Sequence, residues 1–465
     1  MFVAATAAAA RAAARRAAPA YVPRRALSAV AAFPELDAPH PRNNVPASIA
    51  AVVRGRKLLR TPHHPLAALK ERIFAHFDAT ELPSTTARAP AGAFAAFEAA
   101  LPPVVTVRAN FDELLTPLAH ASRRASDTFY VDDARVLRCH MTAHQPELLR
   151  AGHARFLMAG DVYRRDTVDA THAPVFHQLD GVRVWAPAEL PAAARAALAA
   201  GDAAPATALA AADLRATLEG LARTLFGARA ATRWVPAHFP FTEPSMELEV
   251  DFGGRWLEVL GAGVVRAPIL ASATGGAAAV GWAFGLGLER LAMVLHAVPD
   301  IRLFWSKDPR FIAQFARAAA PPARAGAGAA VATPPAEPPP VTFEPFSRYP
   351  ACYKDVAFWV PAGTRVDGDG DGVDAAGCVA EPAAGAAPAR VFHENDFHAA
   401  VREAAGDLVE AVERIDRFAH PKTGRTSLCF RILYRSAERS LTNDEVDAVQ
   451  EGVKAAVARM GFELR

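Results

Sequence analysis

Residues 318–340 are almost entirely alanine, proline and glycine. Such a run has no apolar periodicity with which to join a core, and it reads as a linker, partly polyproline-like. It divides the chain into a large body, residues 39–317, and a small one, residues 341–465. With 465 residues, 52% of them apolar, there is enough material for a core on each side of the break. No apolar run approaches the roughly 20 residues of a membrane-spanning helix, so no membrane association is expected. Cys139, Cys352, Cys378 and Cys429 are scattered and form no Cys-x-x-Cys pair, which supports neither a zinc knuckle nor a disulfide framework.

The first 34 residues hold five arginines and no acid, the first acid being Glu35. That composition fits an organelle transit peptide, read here as residues 1–38. With Glu35 and Asp37 included, residues 1–40 carry +3; against +2 for the whole chain, the remainder carries −1. A nucleic-acid partner must then be held by local patches rather than by a basic body.

In the large body, His64-Pro-Leu66 opens a helix through Lys70, Arg72 and His76. Strand signals follow at Val104–Val107, Phe156–Met158 and Val175–Trp185, an alanine-rich helical stretch at 190–227, and strands again at Ser245–Asp251 and Arg255–Gly263. The small body reads as strand (Asp355–Val360), helix capped by Asn395 and stopped by Gly406, strand (Leu408–Phe418), strand (Ser427–Tyr434), helix after the capping box Thr442-Asn-Asp-Glu445, and strand (Phe462–Arg465). This β-α-β-β-α-β order is that of a ferredoxin-like domain, and the whole chain is α+β. Asp367-Gly-Asp-Gly-Asp-Gly372 resembles part of a calcium loop, but Cys378 stands where the bidentate glutamate belongs, so it reads as a surface insertion.

The chemistry-bearing pattern is spread over the large body. Gly281-Trp-Ala-Phe-Gly-Leu-Gly-Leu-Glu-Arg290 is a glycine-rich strand running into a helix at Leu288, with Arg290 in the first turn able to hold a phosphate. Alternation along Val175–Trp185 puts Phe176, Gln178 and Asp180 on one face, with His177 and Leu179 behind. Gly160-Asp-Val-Tyr-Arg-Arg-Asp166 precedes it across a loop holding His172, and the two strands should pair antiparallel with Arg164 at the same site. Glu258 sits among apolar neighbours, where a carboxylate needs a cation: magnesium with substrate phosphates, or Arg164 or Arg290. Phe239-Pro-Phe241 is either core filling or the wall around a substrate phenyl ring. His140 and His144 lack a third metal ligand, which rejects zinc; Thr142 and Gln145 suit hydrogen bonds to a substrate carboxylate.

Together these motifs resemble the class II aminoacyl-tRNA synthetases: Tyr163-Arg-Arg-Asp166 is similar to their second motif and Gly285-Leu-Gly-Leu-Glu-Arg290 to their third. Within that class, Thr142-Ala-His-Gln145, Val175-Phe-His-Gln-Leu-Asp180, Phe239-Pro-Phe-Thr-Glu-Pro-Ser245, Trp256-Leu-Glu-Val-Leu-Gly261 and Gly281-Trp-Ala-Phe284 resemble phenylalanyl-tRNA synthetase. The small body resembles its ferredoxin-fold anticodon-binding domain, and the order leader, catalytic domain, module matches the single-chain organellar form. The resemblance covers roughly residues 40–316 and 341–465. It implies an antiparallel-sheet catalytic domain with flanking helices, ATP as substrate with Mg2+, and phenylalanine and tRNA(Phe) as partners. It also implies a monomer in the mitochondrial matrix, with a plastid or dual location as the alternative.

By the same resemblance Arg164 would grip the α-phosphate, Phe176 and Arg290 would sandwich adenine, and His172 would contact phosphates. Gln178 and Asp180 would hold the amino group. His140, Thr142 and Gln145 would orient the substrate near its carboxylate. Phe239 and Phe241 would meet the phenyl edge, Ala283 and Phe284 would line the pocket with Ala283 near the para position, and Glu258 would help bind the ligands or magnesium. Asp180 stands where the family usually has glutamate and Thr142 where it has serine; both keep the chemistry with a changed reach. For tRNA, Arg414, Arg417, Lys422, Arg425, Arg431, Arg435 and Arg439, with Phe418 and Phe430, form the expected basic and aromatic patch. A non-catalytic paralogue would have lost Arg164 or Arg290, and a ligase acting without tRNA would have no use for the appended module.

Overall fold

The computed structural model describes residues 33–55, 57–79, 94–98, 101–276, 278–318, 341–345, 349–361, 364–366, 391–436 and 438–465. The expected leader up to residue 32, the linker at 319–340 and the Gly-Asp insertion at 367–372 lie outside the described residues. The large body contains helices α1 (Ala47–Arg54) and α2 (Pro65–Ala79), strands β1 (Ala95–Phe97), β2 (Val104–Thr106) and β3 (Arg135–Leu137), and helix α3 (Gln145–Arg150). Strands β4 (Arg155–Tyr163) and β5 (Val175–Trp185) come next, then helices α4 (Ala192–Ala199) and α5 (Ala204–Phe226). Strands β6 (Thr232–Ala237), β7 (Thr242–Phe252) and β8 (Arg255–Val265), helix α6 (Ala267–Thr274), strand β9 (Val280–Gly287), and helices α7 (Leu288–His296) and α8 (Pro309–Ala318) complete it.

Seven strands form one sheet in the order β1-β4-β5-β9-β8-β7-β6, antiparallel except for the β1–β4 pair. Strand alternation sends Leu157, Leu179, Trp282, Phe284 and Leu286 to one face, where they join a core with α2, α5 and α7. In α5, Leu214, Leu218, Leu221 and Leu225 recur at helical spacing and are buried, while Ala206 and Ala210 on the same stripe let its first turns lie close. The opposite face carries Met158, Val182 and Ala283 over a smaller core and is otherwise left to the cavity described below. The strand expected over Val104–Val107 ends at Thr106, whose hydroxyl caps a helical turn through the Ala109 N–H at 3.0 Å; β2 pairs only with β3, outside the main sheet.

The small body runs β10 (Cys352–Val360), the short parallel pair β11 (Arg365–Val366) and β12 (Val391–Phe392), α9 (Glu394–Ala405), β13 (Val409–Ala419), β14 (Thr426–Tyr434), α10 (Asn443–Arg459) and β15 (Glu463–Leu464). Its four-stranded sheet has the order β13-β14-β10-β15, covered on one face by the two helices. Thr442 and Glu445 make the expected reciprocal capping box. Asn395 is not a cap: α9 starts at Glu394 after His393, and the Asn395 amide instead donates to the Arg165 carbonyl at 3.1 Å, a tertiary contact that outcompetes local capping. Phe430 is likewise not on the surface, because alternation along β14 places it in the core with Leu428 and Ile432.

The two bodies meet on the loop between β4 and β5. Val168 enters the core of the small body, its N–H donates to His398 Nδ1 at 2.9 Å, and its carbonyl accepts from Val412 N–H at 3.0 Å. Arg402 donates to the carbonyls of Asp166 and Thr167, and Arg165 pairs with Asp396 at 2.8 Å. Arg302 adds a bond to the Val409 carbonyl at 2.7 Å.

Candidate active site

The antiparallel pairing of β4 with β5, and of β5 with β9, builds one floor from three sequence-distant motifs. Above it lies a cavity of about 680 Å³, whose lining includes every candidate residue named for the large body. Phe176, Gln178 and Asp180 project into it from β5, with Gly287 and Gly285 of β9 beside Gln178 and Asp180.

At one end Asp180 is buried and its Oδ2 accepts the Thr142 hydroxyl at 2.7 Å. A Cβ on Gly285 would stand 2.9 Å from Asp180 Oδ1, so glycine there clears the carboxylate. Burial pushes the Asp180 carboxyl up to about 7, with the Thr142 hydrogen bond and the Arg164 charge acting the other way. Gln178 Oε1 accepts the Met141 N–H at 3.3 Å, which leaves its amide nitrogen as the donor end. His140 is driven down to about 3 by burial and then by Arg164, so its ring is neutral; its Nδ1 is enclosed without a partner. His144 instead turns its Nε2 to the buried Arg138 guanidinium at 3.1 Å. Gln145 is buried at the start of α3 on the same wall.

Phe239 and Phe241 stack with centroids 5.9 Å apart and planes 10° off parallel. Gly261 makes room for Phe239: a Cβ there would lie 2.7 Å from its Cζ. Ala283 pairs with Val182 and Gly263 across the sheet and faces the cavity. Phe284 is a correction. The next residue along β9 turns its ring to the opposite face, where it stacks on Phe77 at 5.6 Å and fills the space above Gly181, so the ring belongs to the core.

At the other end Arg164 follows β4, with its Nε donating to the Cys139 carbonyl at 2.9 Å and its guanidinium 5.2 Å from the Phe176 ring centre. Arg290 opens α7 and lies 3.6 Å from Glu258, both about half exposed. His172 is tied to Asp169 at 2.7 Å. Burial would raise Asp169, but the Thr171 N–H and the His172 and Thr171 side chains hold it down to about 2. Glu247 also lines the cavity, and its carboxyl is raised by burial and by the charges of Glu258 and Glu249. The alternation of Ser245–Val250 carried the signal for Glu247, since it sits on the same side as Ser245 and faces Gly261. Among the described residues no group of three or more His, Cys, Asp or Glu is placed to hold a metal ion by itself. Crowded Glu247 and Glu258 do suit a hard cation that shares its coordination with substrate phosphates.

The seven basic candidates of the small body do not form one patch. Arg414 pairs with Glu394 within the small body, and Arg435 pairs with Glu410, which also faces Arg302, so Arg435 belongs to the junction between the bodies. Arg439 pairs with Glu445 of the capping box. Arg417 and Lys422 lie on β13 and the β13–β14 turn. Arg425 and Arg431 are salt-bridged to Glu463 and Asp355 on the open sheet face and lie over Trp359 and Tyr353. Arg465 sits 5.5 Å from Trp359 and 5.4 Å from exposed Phe418. Tyr353, Trp359 and Arg465 were not legible as neighbours of the basic candidates, because the face they share exists only once β13, β14, β10 and β15 are paired.

A mainly antiparallel sheet that carries one arginine beyond β4 and another at the head of the helix after β9, with a ferredoxin-like module attached, defines a class II aminoacyl-tRNA synthetase core with an appended anticodon-binding fold. Family comparison agrees: residues 93–191 and 205–315 match the tRNA synthetases class II core domain (F), and residues 389–465 the ferredoxin-fold anticodon binding domain. The chloroplastic/mitochondrial phenylalanine–tRNA ligase of Arabidopsis thaliana is 44% identical over 91% of this chain and 83% of its own length. The mitochondrial phenylalanine–tRNA ligase of Mus musculus is 42% identical over 88% and 83%. That of Saccharomyces cerevisiae is 33% identical over 78% and 82%. The chain belongs to the phenylalanine–tRNA ligase family of class II aminoacyl-tRNA synthetases.

Proposed function

We propose that this protein activates phenylalanine with ATP and transfers it to tRNA(Phe) in an organelle, from a catalytic body at 39–317 and a tRNA-reading body at 341–465. The observation that carries the reading is a single cavity with an amino-acid end, built from Asp180, Thr142, Gln178 and the Phe239–Phe241 wall, and a nucleotide end, built from Arg164, Phe176 and Arg290.

Phenylalanine enters with its ammonium toward Asp180 and the Gln178 carboxamide and its ring against Phe239 and Phe241, the para carbon toward Ala283. Its ammonium supplies the cation that Asp180 lacks in the free site, so binding favours the ionised carboxylate. Neutral His140, Thr142 and Gln145 orient the substrate near its carboxylate. Adenine lies between Phe176 and Arg290, while Arg164 holds the α-phosphate and His172 faces the outer phosphates. The carboxylate oxygen attacks the α-phosphorus, the bond to the bridging oxygen breaks, and pyrophosphate leaves. A hydroxyl of the terminal adenosine, the 2′ one in this family, then attacks the carbonyl carbon; AMP departs and the hydroxyl proton is lost. The attacking carboxylate is ionised at neutral pH, so catalysis is positioning plus charge stabilisation, with no side-chain base. Class II synthetases use ATP and typically Mg2+; Glu258 and Glu247 would hold the ion, which neutralises phosphate charge.

For tRNA, the open sheet face with Tyr353, Trp359, Phe418, Arg425, Arg431 and Arg465 offers stacking surfaces and cations to unpaired bases. The relatives named above are mitochondrial or chloroplastic, and no described helix is long and apolar enough to cross a membrane. We place the protein in the mitochondrial matrix, with a plastid location as the alternative, acting as a monomer. The test is amino-acid-dependent pyrophosphate exchange with all twenty amino acids: phenylalanine should give the highest rate, and activity with none, or a higher rate with another, overturns the assignment.

A further inference from the structure

His177 and Glu289 lie between or beside the residues that face the nucleotide, yet neither takes part in the chemistry above. His177 separates Phe176 from Gln178 on β5, and Glu289 precedes Arg290 in the first turn of α7. Both are buried, at 3% and 2% exposure. One oxygen of Glu289 accepts the backbone N–H of His177 at 2.8 Å and the other stands 2.6 Å from its Nδ1. The imidazole stacks on Trp305 with centroids 5.9 Å apart. Across the strand it faces Asp161, which is held by Arg138, Lys57 and the Tyr163 hydroxyl. Both carboxylate oxygens are thus spent on one residue of the neighbouring strand, and one of them grips the main chain.

We propose that the Glu289–His177 pair is the strut that sets the width of the slot between the Phe176 ring and the Arg290 guanidinium. The two are positioning residues for ATP. A ring and a guanidinium that sandwich a base must be held apart by about one base thickness before the base arrives. Phe176 is fixed by β5 and Arg290 by α7, so the slot is only as constant as the join between these elements. The β5–β9 ladder ends at the Gln178–Gly287 pair, and beyond it the join is made by two hydrogen bonds into a buried carboxylate, which is geometry that a weaker polar contact would not hold. The inference rests on assigning Phe176 and Arg290 to adenine.

Pyrophosphate exchange separates the cases. Glu289→Gln keeps one acceptor and loses the other; His177→Phe keeps a ring on Trp305 and loses Nδ1. Each should raise the KM for ATP about tenfold, by analogy with loss of a charge-assisted bond, and leave the KM for phenylalanine within about twofold. The double variant should show less than the product of the two effects, because both break one contact. The preference for ATP over 1,N6-ethenoadenosine triphosphate, a bulkier base, should fall in the same variants. Equal changes in both KM values, an unchanged base preference, or multiplicative effects would overturn the strut. Phe176→Ala and Arg290→Ala serve as controls: if they leave the KM for ATP unchanged, the adenine assignment has failed rather than the strut. Should Glu289→Gln not fold, His177→Phe with its base preference decides alone.

Discussion

Asp180 is a carboxylate where burial favours the neutral form, a conflict that a substrate ammonium would relieve. Its folded value of about 7 lies above the ordinary 3.8. The stability it contributes is therefore complete below about pH 4 and lost as pH rises through about 7. Asp180→Asn should raise the melting temperature by several degrees at pH 8 and leave it unchanged at pH 4, as read by thermal melts at both pH values. The same variant should lose at least about a hundredfold in kcat/KM for phenylalanine, because a neutral amide cannot pair with the ammonium. In the proposed pocket Ala283 would act by size alone. An apolar pocket rejects one added hydroxyl by only about a hundredfold, so slow tyrosine activation is expected of the native enzyme. Ala283→Gly should admit para-substituted phenylalanines in pyrophosphate exchange; unchanged discrimination would remove Ala283 from the para position.

At the scale of elements, the site depends on three strands lacking side chains where their neighbours need room. Gly261 leaves the space that the Phe239 ring occupies, Gly285 leaves that of the Asp180 carboxylate, and Gly181 that of the Phe284 ring. A methyl at Gly261 must displace Phe239, which is held by its partner ring and by the sheet. Gly261→Ala should therefore destabilise by about 1–3 kcal/mol and raise the KM for phenylalanine about tenfold, with the KM for ATP unchanged; melts and exchange kinetics check both. Much of this was legible beforehand. Alternation on β5 separated Phe176, Gln178 and Asp180 from His177 without error, since a two-residue period is a property of the extended chain itself. Phe284 obeys the same period against the grouping of its motif: the alternation that brings Ala283 to the cavity sends the Phe284 ring to the core.

At the scale of the molecule, the loop that supplies His172 is also the seat of the C-terminal body. Val168 is buried in that body's core, and His398 accepts its N–H. Burial, then the Arg402 charge, lowers His398 to about 4, while Asp166 and Asp169 act the other way. Its contribution to docking is thus complete above about pH 6.5 and lost as pH falls through about 4. Hydrogen exchange at the Val168 amide should accelerate over that window beyond the intrinsic rate in the native protein. In His398→Asn the protection should already be reduced at pH 7 and should change less on acidification. Exchange at Val168 that follows the intrinsic pH trend in both proteins would show that His398 does not govern the contact.

Local order was written in the chain. The alternation of β5, the helix opened at Pro65, the capping box at Thr442 and the motifs around Arg164 and Arg290 follow from short-range periodicity and turn chemistry, which act without knowledge of the rest of the molecule. Tertiary structure decided what faces what. It took Asn395 from capping to the Arg165 carbonyl, put Phe430 in a core, drew Arg435 into the junction, and brought Trp359, Phe418 and Arg465 together from segments distant in sequence. Each of these depends on partners distant in sequence, and a polar or aromatic side chain takes the best-matched neighbour that packing delivers, whatever its own segment prefers.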